Sequence, residues 1–131
     1  MSKGLSAVQD DMADPDIRRF VDAINAAYVE HAAPAGASMA VRRAVAERVR
    51  RPWREGGPIM AETREMDMGG VRLRLHRPVA DEKLPVMLYI HGGGWMLFSI
   101  DTHDRLMREY AARAGIAVIG IDYSLSPESK F

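Results

Sequence analysis

The apolar run Val86–Ile90, which ends abruptly in a histidine and three glycines, is the feature that most limits how this chain can fold. Five consecutive apolar residues without polar alternation predict a β-strand buried on both faces, as in a parallel sheet. The segment His91–Trp95 follows directly and contains Gly92, Gly93 and Gly94. Glycines permit unusual backbone dihedrals and let a ligand approach the main chain. Exposed N–H groups at such a site can bind a negative oxygen, so the pattern is typical of an oxyanion hole.

A second motif follows the next predicted strand, which covers Ile116–Ile121. The segment Asp122–Glu128 reads Asp-Tyr-Ser-Leu-Ser-Pro-Glu. Together with His91–Trp95, it resembles the His-Gly-Gly-Gly and Asp-Tyr-Arg-Leu-Ala-Pro-Glu motifs of the hormone-sensitive-lipase-like esterases and lipases, which have the α/β-hydrolase fold. The resemblance covers roughly Glu62–Phe131 and, more loosely, the N-terminal helices. Because Ser124 replaces the family's common arginine, any charge pair made by that arginine is in doubt.

The resemblance implies an α/β fold, specifically the N-terminal part of an α/β-hydrolase, and the hydrolysis of carboxylic esters with short-to-medium acyl groups. The amides of Gly93 and Gly94 would be the oxyanion donors, and Gly92 would enable the turn. A histidine at the start of the loop would shape it, and the tryptophan would pack beside the acyl pocket. Residues of the second motif would organise the loops beneath the site through buried hydrogen bonds. The supporting residues are therefore His91, Trp95, Asp122, Tyr123 and Glu128.

The serine, histidine and acid that such an enzyme needs are not recognisable in this chain. The nearest match to a Gly-x-Ser-x-Gly elbow is Gly36–Ala40, but it follows Pro34 rather than a strand, so we interpret Ser38 as a helix cap. In the family the triad lies after the Asp-Tyr motif. We therefore expect it beyond Phe131, on a complementary C-terminal polypeptide, and we expect the chain alone to be inactive.

Other roles for the histidine and glycines fit less well. As a general base, His91 would precede the nucleophile, against the order of the fold. As a metal ligand it lacks suitably spaced partners, and helix capping accounts for Asp101 and Asp104. The glycines lack the spacing of a dinucleotide loop and the lysine of a phosphate loop. We therefore expect neither a metal nor a cofactor.

Two amphipathic helices are predicted before the hairpin, and residues 1–14 are expected to be frayed. Asp14 begins the first helix, which continues to about Ala33; Ser38 caps the second, which continues to about Arg51. By the resemblance, residues 1–58 belong to the cap and residues 59–131 form the first half of the core sheet. The six arginines between positions 42 and 54 are interpreted as a solvated face. The predicted apolar faces contain Ile17, Phe20, Val21, Ile24, Ala27 and Tyr28 in the first helix and Val41, Ala44, Val45 and Val49 in the second.

A hairpin and a strand–helix–strand unit are predicted for the rest of the chain. Residues 63–68 and 71–76 flank Gly69-Gly70, and alternation in the second strand predicts one wet face. A helix over residues 103–114, ended by Gly115, would connect two parallel strands in a right-handed crossover. The residues expected to face inward from that helix are Leu106, Met107, Tyr110 and Ala111.

Composition argues against several classes of protein. Eighteen basic and eighteen acidic residues give zero formal net charge, which does not favour nucleic acid or an anionic membrane. With no cysteine, disulfides and thiolate chemistry are excluded. Residues 1–6 lack the apolar core of a secretory signal and no apolar run reaches membrane-spanning length, so we expect a cytoplasmic location. The expected partners are a small ester and the complementary polypeptide beside the open edge of Val86–Ile90, and association with a second copy of the chain is left open. The alternative function is a non-catalytic ligand-binding or interaction protein.

Overall fold

The computed structural model describes residues 14–80 and 83–130. The predicted fraying of residues 1–14 falls, except for Asp14, outside these ranges. Two helices precede a hairpin, and a strand–helix–strand unit follows it. In chain order the elements are α1 (Pro15–Glu30), α2 (Met39–Arg54), β1 (Glu62–Met68), β2 (Val71–Arg77), β3 (Val86–Ile90), α3 (Asp104–Ala114) and β4 (Ala117–Asp122).

The four described strands form one mixed sheet in the order β1-β2-β4-β3. β1 and β2 are antiparallel and joined by Gly69 and Gly70, whose φ angles are 63° and 85°. The predicted hairpin is therefore confirmed. β4 pairs with β2 in the antiparallel sense and with β3 in the parallel sense. The parallel pair, with α3 between its strands, confirms the predicted strand–helix–strand unit.

The prediction that β3 is buried on both faces is wrong for the described residues. Val86, Leu88 and Ile90 are 55–61% exposed, whereas Met87 and Tyr89 pack against the core. That core consists of side chains from α3, β4 and the loop before α3. One face of β3 is therefore covered, and among the described elements nothing covers the other face. The fully buried residues of the core are Ile100, Met107, Ala111 and Val118.

The polar face of β2 is covered at Arg74 and His76, although Arg72 is 41% exposed, which corrects the prediction that this face is wet. His76 is 1% exposed and its Nε2 lies 3.0 Å from Asp104 Oδ1. Arg74 donates to the same Asp104 oxygen at 2.9 Å, and Arg72 donates to Asp101 at 2.8 Å. Polar side chains can be buried when they are paired, and these two aspartates supply the partners.

Asp101 and Asp104 are therefore partners of β2 rather than helix caps. The N-cap residue of α3 is His103, and it makes no side-chain capping bond. α3 buries Met107 and Ala111, but Leu106 and Tyr110, also predicted to face inward, are 42% and 44% exposed. The contact with the sheet is thus narrower than the apolar pattern indicated.

The two N-terminal helices begin as predicted. Asp14 accepts a hydrogen bond from the Asp16 N–H at 2.8 Å, and Ser38 accepts one from the Val41 N–H at 3.4 Å. α1 ends three residues earlier than expected, and α2 continues through Pro52 to Arg54. Neither change alters the order of the elements.

The buried face of α2 differs from the predicted one. Ala46 and Val49 are buried, whereas Val41 and Ala44 are exposed. This face also carries Arg43 and Arg50, so the description of the arginines as a solvated face is wrong for these two. Hydrogen bonds from the Arg43 guanidinium and aromatic rings around that of Arg50, described below, make this burial possible.

The segment between the helices and the hairpin is fixed to α3. Arg108 donates to the carbonyl oxygens of Pro58 (2.6 Å) and Gly56 (2.7 Å), and Arg105 donates to that of Glu55 (3.1 Å). The domain boundary at residue 58 stays a prediction. Within residues 14–80 and 83–130, no helix combines the length and apolarity needed to cross a membrane.

Candidate active site

Two positions of the glycine loop after β3, Gly93 and Gly94, have a backbone that favours glycine. Gly93 has a φ of 134° and Gly94 a φ of 62°. The Gly93 carbonyl accepts hydrogen bonds from the N–H groups of Met96 (3.2 Å) and Leu97 (3.0 Å), which close the loop on itself. A Cβ atom at position 93 would lie 2.0 Å from the Leu97 oxygen. At Gly92 there is no positive φ and no atom within 4 Å of an added Cβ.

Main-chain N–H donors are free at this loop. The N–H groups of Gly93 and Gly94 donate no hydrogen bond to any residue of the described ranges. Both glycines line a cavity of about 470 Å³. Unpaired N–H donors beside an apolar cavity are what an oxyanion hole next to an acyl pocket requires. The other residues that line the 470 Å³ cavity come mainly from α1, α2 and the segments beside them: Tyr28, Ala32, Ala33, Met39, Arg42, Val45, Ala46, Met96 and Leu97.

His91 lies beneath the loop rather than in the cavity. Its side chain is fully buried, and its Nδ1 lies 2.8 Å from the Gly92 oxygen. The ring stacks on Tyr123, with centroids 4.2 Å apart. Its Nε2 has no hydrogen-bond partner among the residues described and is 4.0 Å from Asp122. These contacts favour the loop-shaping role of His91 and give no support to a general base.

Tyr123 and Asp122, at the end of β4, make hydrogen bonds to residues around the glycine loop. The Tyr123 hydroxyl donates to the His91 carbonyl at 2.7 Å. Burial, with a smaller contribution from Asp122, raises the Tyr123 pKa, so the hydroxyl stays protonated as a donor. Asp122 accepts from Arg72 at 2.8 Å and from the Ile100 N–H at 3.2 Å. The two residues therefore join the ends of β3 and β4 to the loops that follow them.

Trp95 lies on the outer side of the loop. It is 61% exposed, and its ring is 5.2 Å from that of Tyr123. Its side chain is not among those that line the 470 Å³ cavity. Its carbonyl accepts from the Ser126 N–H at 2.8 Å, which ties the glycine loop to the Asp-Tyr motif.

Arg43 was not identified from the sequence, yet it joins both motifs to α2. It donates to Glu128 through both Nη atoms (3.0 and 2.7 Å), to the Met96 carbonyl (2.8 Å) and to the Ser126 carbonyl (2.8 Å). Hydrogen bonding to Arg43 lowers the Glu128 pKa. Because Glu128 is 58% exposed, the predicted buried hydrogen bond is in fact at the surface. The sequence signal nearest to this contact was Ser124, the replaced arginine of the second motif, but it does not identify Arg43.

Replacing Arg43 should loosen the glycine loop. In Arg43→Met, the Met96 carbonyl loses its charged donor, and Met96 is the residue that closes the loop onto Gly93. We expect the amide hydrogens of Met96 and Leu97 to exchange about 10-fold faster or more, as hydrogen-exchange mass spectrometry would show.

The control is Arg51→Met, on the same helix, because Arg51 is 68% exposed and pairs with Glu55 only at 3.3 Å. That variant should leave exchange at the loop unchanged. Equal exchange in Arg43→Met and the wild type would show that Arg43 does not hold the loop.

The described residues contain no serine that is paired with a histidine as a catalytic nucleophile would be. Ser38 is the N-cap of α2, as predicted. The Ser99 hydroxyl bonds to Glu47 at 2.8 Å, and within residues 14–80 and 83–130 no serine hydroxyl is hydrogen-bonded to a histidine side chain. The same ranges contain no group of three histidine or acidic side chains placed to hold a metal ion.

The fold, the glycine loop and the two N-terminal helices beside its cavity define the class of this protein. Residues 87–131 match a family profile described as the α/β-hydrolase fold. The chain is an α/β-hydrolase-fold protein whose structural relatives include esterases of the hormone-sensitive lipase family, which confirms the predicted fold class and the resemblance.

Three solved structures illustrate the similarity. An ester hydrolase from the metagenome of Lake Arreo, complexed with a bipyridine phosphonate derivative, is 31% identical with a TM-score of 0.77, covering 92% of this chain and 40% of that one. A thermophilic carboxylesterase from a metagenomic library is 35% identical with a TM-score of 0.68, and the match covers 76% of this chain and 35% of that one. A bacterial esterase of the hormone-sensitive lipase family is 26% identical with a TM-score of 0.73, and the match covers 91% of this chain and 38% of that one. The chain thus spans about 40% of the length of such relatives.

Proposed function

We propose that this chain supplies the oxyanion hole and part of the cap of a serine hydrolase that cleaves carboxylic esters. The observation that carries the proposal is the pair of unpaired N–H groups, on Gly93 and Gly94, beside the apolar cavity. The similarity to esterases supports the same activity.

In the proposed reaction, the carbonyl oxygen of the ester lies at the two glycine amides. A serine oxygen bonds to the carbonyl carbon while its proton passes to a histidine, and the carbonyl oxygen becomes negative. The Gly93 and Gly94 donors stabilise that charge; loss of one such donor typically costs about 2.7–4 kcal/mol in the barrier. The histidine then gives its proton to the ester oxygen as the C–O bond breaks and the alcohol leaves, and a water molecule, deprotonated by the same histidine, releases the acid and restores the serine hydroxyl.

The serine, histidine and acid are assigned to a complementary polypeptide that pairs with β3. Val86, Leu88 and Ile90 expose their side chains, and among the described strands β3 pairs only with β4. An exposed apolar edge of this kind is a template for another strand. We therefore expect the 131-residue chain by itself to be inactive and its mixture with the complementary polypeptide to be active.

The cavity beside the glycines is assigned to the acyl group. Its volume of about 470 Å³ and its alanine, valine and methionine lining suit a short-to-medium chain. A test of the whole proposal is the hydrolysis of p-nitrophenyl esters from acetate to octanoate, with the chain alone and with its complementary polypeptide. Binding of these esters without turnover in the mixture would favour the non-catalytic alternative instead.

Filling the cavity should shorten the preferred acyl chain. Val45→Trp places a large ring in the lining, so we expect kcat/KM for the octanoate ester to fall about 10- to 100-fold, with the acetate ester changed less than about 3-fold. The matched control is Val29→Trp, because Val29 is 80% exposed and does not line the cavity. An equal loss for both esters in Val45→Trp would contradict the assignment.

A further inference from the structure

A second cavity, of about 370 Å³, lies among α1, α2 and α3 and shares no lining residue with the cavity at the glycine loop. Three of its lining side chains, Phe20, Trp53 and Leu106, are apolar or aromatic. Phe20 and Trp53 pack edge to face, with ring centroids 5.3 Å apart. The polar lining residues are Arg50, Thr102, His103, Arg105 and Glu109.

Arg50 is the unusual residue of this cavity. Its guanidinium lies over the ring of Phe20 at 5.7 Å and over that of Phe98 at 5.2 Å. It makes no hydrogen bond and no ion pair with any residue in the described part of the chain, and its Nε is buried without an acceptor. Of the five N–H donors of this permanently charged guanidinium, the one on Nε therefore lacks the acceptor that a buried donor normally finds.

Neighbouring charges do not balance Arg50. Glu47, one turn earlier, accepts from the hydroxyls of Ser99 (2.8 Å) and Thr102 (2.6 Å), and its charge is paired with that of Arg54 at 4.0 Å. Arg105 and Glu109 also line the cavity, but they pair with each other at 3.5 Å. His103 adds no charge near neutral pH, because burial lowers its pKa. The cavity therefore has one unbalanced positive charge next to aromatic walls.

We propose that this cavity binds a small aromatic carboxylate, with the carboxylate at Arg50 and the ring against Phe20 and Trp53. Aromatic rings occupy the faces of a guanidinium and leave its in-plane N–H groups for a carboxylate, which matches their forked geometry. The aromatic walls suit a flat apolar body. The site is independent of the proposed ester hydrolysis, because it uses none of the glycine-loop residues.

The test is a titration of the purified chain, with any polypeptide that accompanies it, using benzoate as the probe. Of the two tryptophans, Trp53 lines the cavity, so a Trp95→Phe background makes its fluorescence a local reporter. We expect saturable quenching by benzoate and at least about 10-fold weaker binding of uncharged benzyl alcohol, with calorimetry giving the same ratio.

Variants test the role of Arg50 directly. Arg50→Met should weaken benzoate binding about 10-fold or more, Arg50→Lys should weaken it less, and Arg51→Met on the exposed face should leave it unchanged. Circular dichroism checks that each variant is folded. If Arg50→Met does not fold, the comparison of benzoate with benzyl alcohol still tests whether the cavity selects a carboxylate. Absence of saturable benzoate binding, equal binding of the two probes, or unchanged binding in folded Arg50→Met would overturn the proposal.

Discussion

Replacing Gly93 with alanine should destabilise the protein more than any other single methyl group added to the glycine loop. The added Cβ would lie 2.0 Å from the Leu97 oxygen, and the φ of 134° disfavours any side chain. Backbone strain and overpacking each typically cost about 1–3 kcal/mol, so we expect about 2–5 kcal/mol of lost unfolding free energy. Urea denaturation followed by circular dichroism measures it.

The neighbouring glycines provide the controls. Gly92→Ala meets no atom within 4 Å and needs no positive φ, so it should change stability little. Gly94→Ala also meets open space but has a φ of 62°, so we expect an intermediate cost of about 1 kcal/mol. Equal stabilities of the Gly92 and Gly93 variants would contradict the described loop. In an active assembly, Gly93→Ala should also lower kcat, because it moves a proposed oxyanion donor.

The second large effect is expected for Asp104→Asn. Asp104 accepts hydrogen bonds from Arg74, His76 and Arg108, at 2.8–3.0 Å, and its side chain is 25% exposed. Asparagine has the same shape, but it lacks the charge and turns an NH₂ group toward at least one donor. Breaking a buried ion pair costs about 3–5 kcal/mol; partial exposure reduces this, and we expect about 2–4 kcal/mol by denaturation. Asp16→Asn, at a site 80% exposed, should have little effect.

The same network predicts acid sensitivity. Burial alone would raise the pKa of Asp104, but hydrogen bonds from His76 and Arg108 outweigh it and hold the pKa below the ordinary 3.8. A lowered pKa in the folded state means that the contribution is complete above about pH 4 and is lost as pH falls further. Unfolding free energy measured from pH 6 to pH 2 should therefore fall less steeply in Asp104→Asn than in the wild type. Parallel curves for the two proteins would show that Asp104 is not the responsible group.

Local patterns in the sequence predict the hairpin and the helix starts well. Gly69 and Gly70 require positive φ, and Asp14 and Ser38 cap their helices through nearby N–H groups. These features depend on residues within a turn of one another, so a pattern is sufficient. The turn of the glycine loop after β3 is likewise predicted from neighbouring residues in the sequence.

Features set by distant partners were missed. The alternation of Arg72, Arg74 and His76 is typical of a wet face, but Asp101 and Asp104 approach it from the loop and helix after β3. The burial of β3 depends on what packs against it, which its own five residues do not contain. Arg43 reaches Glu128 across 85 positions of sequence, and no local period predicts such a contact.

The most direct test of the proposed function is mass spectrometry of the purified protein after exposure to a fluorophosphonate probe. Native spectra show which polypeptides are associated, and denaturing spectra show which one carries the probe. The account predicts that the 14.6 kDa chain remains unlabelled and that an associated polypeptide carries one probe on a serine. A probe attached to the 14.6 kDa chain itself, or no label on any associated polypeptide, would contradict the assignment of this chain as the oxyanion-hole part of a serine esterase.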